Sequence, residues 1–566
     1  MADYVKLKSG TDIRGRAIAA ENAPATLTVD AVKDIASAFA LWLTKRTGKT
    51  RCKIAIGRDS RLTGEMFADA IISALGNSGQ EIFDCGLFST PAAYLVTKFP
   101  SVLADGAIMI TASHHPKDKN GLKFFTADGG VNSAELDEII ALAENGEHLP
   151  LNAYSAVVRR DCLRLYCDML SNIVRKGTRL FLPLKGMKIV VDAGHGAGGF
   201  FAERVLAPLG ADVSDSQFLE PDGNFPAHAP NPENAEAMDC LKRRVLETGA
   251  DLGVIFDADV DRCAVVAADG TEINRCRLIA LASAIVLKDH PGATVVTDSV
   301  TTEGLRSFIQ GKGGVQKRFK RGYRNVIDEA KRLCENGVDA PLAIESSGHA
   351  AFSEHYFLDD GAYFIAKILV TVSNLRREGK TLTDLIDGLH TPLEEADIRL
   401  DFTNDDWRAT AEKIITRLKG VSERLLKLSS DNYEGVRAYV PHADGYFIVR
   451  TSVHDPVLPI YIESDKEGGA AIIARFLYSF LFGFMGLDCA PLADYVSANS
   501  KNNDDGDALD VNDDARLDGD DGETAVAEEV GAFDSDGDFG ADDFVYDDDA
   551  TAFDDVSDDT ADDGEI

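Results

Sequence analysis

The chain has 566 residues, of which 45% are hydrophobic and 27% are charged, a balance typical of globular proteins with several cores. Most of its net charge of −36 lies in residues 490–566, where 28 acidic side chains accompany two basic ones. The remaining chain is only mildly acidic and lacks the excess of lysine and arginine that binds phosphate backbones. We therefore expect no nucleic-acid partner.

Cysteine usage and hydropathy indicate the compartment. Nine scattered cysteines without a CxxC pair predict reduced thiols in a cytosol-like environment. The N-terminal residues include no apolar segment of the kind found in signal peptides. The most apolar run, residues 476–487, has about half the length of a bilayer span and is expected to be a buried helix. The sequence thus predicts a soluble, cytoplasmic protein without a membrane partner.

Short β-branched runs alternate with longer amphipathic stretches, which predicts α/β domains. The clearest predicted strands are residues 53–56, 107–110, 188–191, 252–256 and 294–297. Most of them end directly in a polar, acidic or glycine-rich cluster. Ligands of open α/β sheets bind at the carboxyl ends of the strands, so the chemistry is expected in these clusters.

Domain boundaries are predicted near residue 158, Thr271, His390 and Cys489. They divide the chain into the ranges 1–158, 159–271, 272–390, 391–489 and 490–566. The last range is an acidic low-complexity tail, for which disorder is the default expectation. Its acidic runs from Asp510 and Asp534 approach the spacing of a calcium loop, but Ala515 and Phe539 replace the glycine of the sharp turn. A Ca²⁺ ion or a protein partner for the tail is left open.

Ser113 lies in the segment TASHHP, immediately after a predicted strand. With His114 beside it and Lys123 downstream, this serine is a candidate nucleophile or phosphate carrier. The alternative is a serine that caps the N-terminus of a helix.

Asp257, Asp259 and Asp261 alternate in the segment DADVDR, which ends in Arg262. Three carboxylates on one loop repel one another unless a cation or solvent relieves them, and an all-oxygen ligand set favours Mg²⁺ or Ca²⁺. Arg262 stands at the sixth position, where an EF-hand requires glycine. The leading interpretation is a Mg²⁺ site, and the alternative is a solvated acidic turn.

Glu345, Ser347 and His349 lie in the segment ESSGH after the apolar residues 342–344. An acid, a hydroxyl and an imidazole in one loop suit hydrogen bonding to a polyol. A polar loop that caps itself is the alternative.

Four further residues can bind phosphate. Arg450 and Ser452 precede a turn at residues 454–456, and an arginine with a hydroxyl and free backbone N–H groups forms a phosphate cradle. Arg14 and Arg324 can add positive charge. The ordinary interpretation of each arginine alone is a surface residue.

Gly194, Gly196 and Gly199 match the dinucleotide-binding pattern GxGxxG, and Asp215 lies near its acidic position. A dehydrogenase would leave Ser113, the three aspartates and the Glu345 segment without a role. The sequence therefore disfavours this interpretation.

In this order, the motifs TASHHP, DADVDR, ESSGH and RTSVHDP resemble the α-D-phosphohexomutase family, in its phosphomannomutase/phosphoglucomutase type. The segments DGNFP (222–226) and NPE (231–233) are similar to a further family segment. The resemblance covers roughly residues 5–489. It implies a four-domain α/β architecture, in which three similar α/β domains precede a smaller helix-and-sheet domain.

The resemblance also implies a chemistry. Phosphorylated Ser113 would exchange its phosphoryl group with a hexose phosphate through hexose 1,6-bisphosphate, which also serves as activator. One Mg²⁺ per chain would be held by Ser113, Asp257, Asp259 and Asp261. Arg14 and Arg262 would offset charge, and His114 and Lys123 would transfer protons. The substrate-binding residues would be Arg324, Glu345, Ser347, His349, Arg450 and Ser452.

Two segments depart from the family pattern. Val453 and His454 stand where the family usually has Gly or Asn followed by Thr, and Ile344 replaces a common glycine. A phosphoglucosamine mutase and a catalytically weakened sugar-phosphate-binding regulatory homologue therefore stay as alternatives. The preferred hexose, the oligomeric state and the role of the tail are left open.

Overall fold

A computed structural model describes residues 3–21, 23–151, 154–155, 157–452 and 455–499. The chain divides into two compact units, residues 1–391 and 392–566, which we call the first and the second unit. No helix in the described ranges is both long and apolar enough to cross a membrane.

The first sheet of the first unit is mixed, with the order β1-β2-β6-β5-β3-β4-β8 and β7 beside β6. Its strands are β1 (Lys8–Ser9), β2 (Asp12–Arg16), β3 (Lys53–Arg58), β4 (Glu81–Leu87), β5 (Gly106–Ile110), β6 (Lys119–Thr126), β7 (Gly129–Gly130) and β8 (Val157–Arg159).

The helices beside the first sheet are α1 (Val29–Thr47), α2 (Gly64–Asn77), α3 (Thr90–Leu95) and α4 (Ser133–Glu144), and α5 (Cys162–Thr178) follows. Ile54 and Ile56 of β3 pack into one core and Ala55 into another, as the alternation of side chains along a strand requires.

The second and third sheets follow. The second has the order β12-β11-β10-β9. It consists of β9 (Ile189–Asp192), β10 (Leu252–Phe256), β11 (Cys263–Ala267) and β12 (Glu272–Ile273), with α6 (Ala235–Thr248).

The third sheet has the order β14-β13-β15-β16-β17. It consists of β13 (Thr294–Thr297), β14 (Val315–Arg318), β15 (Leu342–Ile344), β16 (Ala350–Phe352) and β17 (Leu358–Asp359), with α7 (Arg275–Asp289), α8 (Glu303–Gly311), α9 (Tyr323–Glu335) and α10 (Gly361–Arg377).

One hydrophobic core runs through all three sheets of the first unit. It includes Met109 of β5, Tyr166 of α5, Val254 of β10, Ile344 of β15 and Phe364 of α10, each buried. Helices α5 and α10 pack on each other within it. The loops that carry TASHHP, DADVDR and ESSGH therefore extend from strands of one packed body.

The second unit holds a five-stranded antiparallel sheet in the order β18-β22-β21-β20-β19. Its elements are β18 (Glu394–Asp401), α11 (Trp407–Lys419), β19 (Lys427–Leu428), β20 (Val436–Val440), β21 (Gly445–Val449), β22 (Val457–Ser464), α12 (Gly469–Leu481) and α13 (Ala490–Asn499). In β18, Ala396, Ile398 and Leu400 face the core while their neighbours are exposed or half-buried. This alternation is typical of a sheet with one solvated face.

Two expectations for the C-terminal part are wrong in detail. The apolar run 476–487 is not one buried helix, because α12 ends at Leu481 and Phe482 and Met485 are 70% and 91% exposed. The predicted tail begins with the helix α13, whose Leu492 is buried in the core of the unit. The calcium-like runs from Asp510 and Asp534 lie outside the described residues.

The predicted boundaries at 158 and 271 each fall at a strand. β8 extends to Arg159 in the first sheet, and β12 (Glu272–Ile273) belongs to the second. Both are short edge strands, for which hydropathy provides little signal.

Candidate active site

Ser113 lies in a buried loop that follows β5. Its backbone is in the left-handed region (φ +51°), which is uncommon for a residue with a side chain, and it is 1% exposed. Its N–H donates to Thr111 Oγ1 (2.8 Å), and Thr111 donates to Asp59 Oδ2 (2.7 Å). Residues 111–118 form turns and contain no helix, so the helix-cap interpretation of Ser113 is wrong.

Arg61 fixes the main-chain conformation of the Ser113 loop by donating hydrogen bonds to its carbonyl groups. Its buried guanidinium lies 3.2 Å from Asp59 and donates only to main-chain oxygens of the loop. The accepting carbonyls are those of Ser113, His115, Pro116 and Lys119. Burial raises the pKa of Asp59 to about 6, although Arg61 opposes the shift. Sequence reasoning missed both residues, and the only signal was the polar run after β3.

The three aspartates form a buried cluster at the carboxyl end of β10. One oxygen from each of Asp257, Asp259 and Asp261 lies within 4.8 Å of the other two, and all three residues are fully buried. Among the described residues, Asp259 Oδ1 and Asp261 Oδ1 have no hydrogen-bond partner. The alternative of a solvated acidic turn is therefore wrong.

Ser113 belongs to the same cluster. Its Oγ donates a hydrogen bond to Asp257 Oδ2 over 3.0 Å. Three carboxylates and one hydroxyl oxygen, with unpartnered oxygens among them, form a donor set of the kind that Mg²⁺ prefers. The residues present thus fit a hard divalent cation.

Burial and like-charge repulsion act together on the carboxylates of this cluster. Burial raises the pKa of Asp257 well above its usual value, and the charges of Asp261 and Asp259 raise it further. Burial would also raise the pKa of Asp261, but Lys123, His349 and Arg262 outweigh it and lower that pKa. A bound cation would relieve the same repulsion.

Lys123 of β6 is the nearest cation to the aspartates. Its Nζ lies 3.1 Å from Asp259 Oδ2 and 2.6 Å from Asp261 Oδ2. Burial alone would lower the pKa of Lys123, but the two carboxylates raise it well above its usual value. Lys123 therefore acts as a fixed positive charge in this arrangement, which makes it a poor proton acceptor.

His114 is the candidate proton acceptor beside Ser113. Its Nδ1 lies 3.3 Å from Ser113 Oγ. The charge of Arg262, together with burial, lowers the pKa of His114 far below its usual value. The imidazole is therefore neutral at pH 7, and the negative charge of a phosphoryl group beside it would raise its pKa toward the range in which a general base works.

Arg262 and His349 join the aspartate loop to the Glu345 loop. Arg262 Nε donates to His349 Nε2 (2.9 Å), and Arg262 Nη1 lies 3.4 Å from Glu233 Oε2. Because Arg262 can only donate, the proton of a neutral His349 is on Nδ1, which lies 3.1 Å from Asp359 Oδ2. The ring of His349 also stacks on Tyr323 at 5.0 Å.

The Glu345 loop follows β15, and its side chains are largely paired within the fold. Glu345 Oε1 accepts from the N–H of Gly322 (2.6 Å), and Ser347 Oγ donates to Glu345 Oε2 (3.2 Å). Ser346 Oγ donates to the buried Asp298 Oδ2 (2.6 Å). Burial raises the pKa of Asp298 to about 7, with a contribution from Glu345.

Arg14 and Arg324 lie near the same centre but pair locally. Arg14 Nη2 donates to Asp12 Oδ2 (2.9 Å), and its charge contributes to lowering the pKa of His114. Arg324 Nε donates to Asp328 Oδ2 (3.1 Å) one turn along α9. Arg324 and Lys123 line one cavity.

Comparison with known proteins identifies the family of this fold and site. The models of the three α/β/α domains of phosphoglucomutase/phosphomannomutase match residues 6–149, 164–270 and 276–392. The chain is 31% identical to a phosphoglucomutase of Neisseria gonorrhoeae over 444 residues, which are 78% of this chain and 90% of the relative. The chain belongs to the phosphoglucomutase/phosphomannomutase family of α-D-phosphohexomutases.

Other members of the family agree in sequence and in fold. The chain is 34% identical to a phosphomannomutase/phosphoglucomutase of Pseudomonas syringae over 73% of this chain and 83% of the relative. The crystal structure of a phosphoglucomutase/phosphomannomutase family protein from Burkholderia thailandensis superposes with a TM-score of 0.69. It is 26% identical and covers 85% of this chain and 98% of its own.

The glycine-rich loop after β9 has a packing role in this phosphohexomutase chain. A Cβ on Gly196 would lie 2.7 Å from the Cα of Ala258, and one on Gly199 would lie 2.2 Å from the carbonyl of Leu219. Gly196 therefore allows the loop to pack directly against the aspartate loop. This explains the GxGxxG pattern without a dinucleotide.

The segment RTSVHDP belongs to the second unit. Ser452 Oγ accepts from the N–H of Asp455 (3.2 Å), and Arg450 Nη1 donates to the carbonyl of Thr451 (3.5 Å). Val453 and His454, which depart from the family pattern, lie outside the described residues. The role of this segment stays a prediction.

Proposed function

We propose that this chain is a Mg²⁺-dependent phosphohexomutase that interconverts hexose 1-phosphates and hexose 6-phosphates. The observation that carries the proposal is the hydrogen bond between Ser113 Oγ and Asp257 inside the buried cluster of three aspartates. The phosphoglucomutases and phosphomannomutases among its relatives support the same reaction.

Ser113 is the phosphate carrier in this proposal. The phosphoserine O–P bond breaks as a sugar hydroxyl oxygen bonds to phosphorus and releases its proton, which passes to Ser113 Oγ. The products are hexose 1,6-bisphosphate and a free serine hydroxyl. The sugar then reverses in the site, and Ser113 Oγ takes back the other phosphoryl group. Asp257, Asp259, Asp261 and Ser113 would hold Mg²⁺, which when bound offsets the charge of the transferring group.

Fixed charges and one neutral imidazole would support the transfer. Lys123 and Arg262, both buried beside the aspartates, and Arg14 lie where they can offset phosphoryl charge. His114 returns a proton to Ser113 Oγ when the phosphoryl group leaves and accepts that proton when a phosphoryl group arrives. Since the transition state of phosphoryl transfer is loose, positioning and charge contribute more than covalent help.

The sugar would bind at the Glu345 loop. Glu345 and Ser347 offer an acceptor and a hydroxyl to sugar O–H groups, and His349 is held beside them by Arg262 and Asp359. We assign the non-reacting phosphate to Arg450 and Ser452, with Arg324 as a further substrate-binding arginine. The sugar binds in two orientations during the proposed reaction. The site for the non-reacting phosphate must therefore accept the phosphate at C1 in one orientation and the phosphate at C6 in the other.

The test is a Mg²⁺-dependent mutase assay with glucose 1-phosphate, mannose 1-phosphate and glucosamine 1-phosphate offered separately. A trace of the matching 1,6-bisphosphate phosphorylates Ser113, and mass spectrometry follows that modification. Conversion of the first two substrates supports the proposal, whereas conversion of the glucosamine phosphate alone would indicate a phosphoglucosamine mutase.

We expect Ser113→Ala to abolish both turnover and the phosphorylated peptide, because no carrier oxygen remains. The matched control is Ser101→Ala, which removes an exposed serine hydroxyl elsewhere in the first unit. Full activity of Ser113→Ala would overturn the assignment. No turnover of any substrate by the unaltered chain, with Ser113 unphosphorylated, would instead indicate the sugar-phosphate-binding homologue.

A further inference from the structure

The second unit carries a surface whose charge is opposite to that of the chain as a whole. Residues 407–427, which include α11, contain six basic and two acidic side chains. Four of the basic side chains are exposed on α11, and within the described parts of the unit none of them forms an ion pair. They are Arg408, Lys413, Arg417 and Lys419.

Exposed apolar side chains continue this surface. The Arg417 guanidinium lies over the ring of Phe484 at 5.4 Å, which places the end of α11 beside the turn after α12. That turn exposes Phe482 and Met485, at 70% and 91%. Arg408 and Lys419 lie on one edge of the exposed side of α11, and Lys413 and Arg417 lie on the other edge. We call these four side chains, together with Phe482 and Met485, the basic-aromatic face. Exposed apolar groups beside unpaired cations are typical of an interaction surface.

We propose that residues 500–566 of the same chain bind this face. The segment contains 27 acidic and two basic side chains, so its charge is complementary to α11. It also contains five aromatic residues among the acids, at 533, 539, 544, 546 and 553. The arginines of the face can hold carboxylates and stack on aromatic rings at the same time.

The segment starts close enough to reach the face. It follows α13, which packs on α12 and β18 of the second unit. Asn499 and Phe533 are 34 residues apart, and a random coil of that length has a root-mean-square span of about 30 Å. A folded unit of about 100 residues has a radius of gyration near 13 Å and so is of similar width. The linking residues are therefore long enough for residues from Phe533 onward to reach the basic-aromatic face. Because both partners belong to one chain, the effective concentration is in the millimolar range.

Carbodiimide crosslinking of the full chain tests the proposal, because it joins lysine amines to carboxylates in contact. We expect Lys413 and Lys419 to crosslink to carboxylates of residues 500–566 several-fold more than the matched lysines Lys176 and Lys288. These two are exposed in the first unit, and neither forms an ion pair among the described residues. The yield should fall at about 1 M salt, where the Debye length is ~3 Å.

The result that would overturn the proposal is an equal yield at all four lysines. A 1:1 mixture of ¹⁴N- and ¹⁵N-labelled chains separates binding within a chain from binding to a second copy. Crosslinked peptides that carry one label support the proposal, and peptides of mixed label would refute binding within the chain.

A second measurement keeps the proposal testable if crosslinking chemistry fails. Limited digestion by an Asp-specific protease should cleave residues 500–566 several-fold faster in Lys413→Glu/Arg417→Glu than in the unaltered chain. The control Lys176→Glu/Lys288→Glu should be cleaved at the unaltered rate. Equal rates in both variants, with both folded by circular dichroism, would overturn the proposal. Neither experiment depends on mutase activity.

Discussion

The aspartate loop and the Glu345 loop have the same local architecture and opposite electrostatic states. Each connects a buried strand to an antiparallel neighbour, β10 to β11 and β15 to β16. Each contains one residue with positive φ, Val260 at +69° and Gly348 at +93°. The aspartate loop directs like charges at one another and leaves oxygens without partners, whereas the Glu345 loop pairs its acid and hydroxyls within the fold.

In the proposed function, this difference suits one loop to a cation and the other to a neutral polyol. Repulsion that a cation relieves becomes affinity for that cation when it binds. Hydrogen bonds that already hold Glu345 and Ser347 fix their positions, and a sugar hydroxyl need only add to or exchange with them. Four experiments separate the two states.

The largest effect is expected from Asp257→Asn in the aspartate loop. The variant replaces one of the four proposed cation ligands by a neutral amide and removes the charge of the group that accepts from Ser113. We expect kcat/KM for glucose 1-phosphate to fall by about 10²-fold or more, the order seen when a transition-state charge partner is removed. The matched control is Asp269→Asn, an exposed aspartate in the turn after β11, which should keep full activity. A variant that retained a tenth of the activity would contradict the ligand role.

The same substitution should stabilise the protein when Mg²⁺ is absent. Asp257→Asn keeps the size of the side chain and removes one of three mutually repelling charges. In EDTA we expect its Tm to exceed that of the unaltered chain by about 1–2 °C, since about 1 kcal/mol corresponds to ~2–4 °C in a protein of 150–250 residues and to less in a larger one. Added Mg²⁺ should raise the Tm of the unaltered chain and leave the variant nearly unchanged. An equal Mg²⁺ response in both proteins would show that the cation binds elsewhere.

Asp298→Asn should change the pH dependence of stability through the Glu345 loop. Burial, then Glu345, raises the pKa of Asp298 to about 7 from an unfolded value near 4. The folded state therefore binds more protons between these values, and this group destabilises the fold as pH rises from about 4 to 7. The variant lacks that loss, so its stability relative to the unaltered chain should be greater at pH 8 than at pH 5. Urea unfolding at both pH values measures the difference, and a constant difference would contradict the raised pKa.

The smallest effect is expected at the turn of the Glu345 loop. Gly348→Ala adds the ordinary cost of a left-handed residue, about 1–2 kcal/mol, and a Cβ only 2.8 Å from the carbonyl of Cys263. Gly337→Ala is the matched control, because Gly337 also has positive φ but its Cβ would meet no atom within 4 Å. We expect Gly348→Ala to lower the free energy of unfolding more than Gly337→Ala does. Equal costs would show that this turn is not tightly packed.

Hydropathy and strand ends were enough to predict the chemistry-bearing loops. Ser113 and the aspartates directly follow buried strands, so local pattern alone indicated them. His349 was assigned to the sugar on its position in the motif, and its partners Arg262 and Asp359 come from other strands that no local pattern connects.

Arg61 and α13 mark the limits of prediction in different ways. Arg61 acts on main-chain carbonyls more than 50 residues away, and every residue type carries such a carbonyl. The helix α13 has a readable signal in the spacing of Leu492, Tyr495 and Val496, which pack into or against the core. The acidic composition of the following residues obscured it.

The position of Ser113 is held through atoms that all amino acids share. Because Arg61 binds the carbonyls of residues 113, 115, 116 and 119, the side chains between them contribute little to the shape of the loop. The conformation of this loop is therefore set by its main chain, and its chemistry is set separately by its side chains. Residues 115 and 117 can be diversified in a library, to seek new substrates, while His114 and the serine are kept in register with the aspartates.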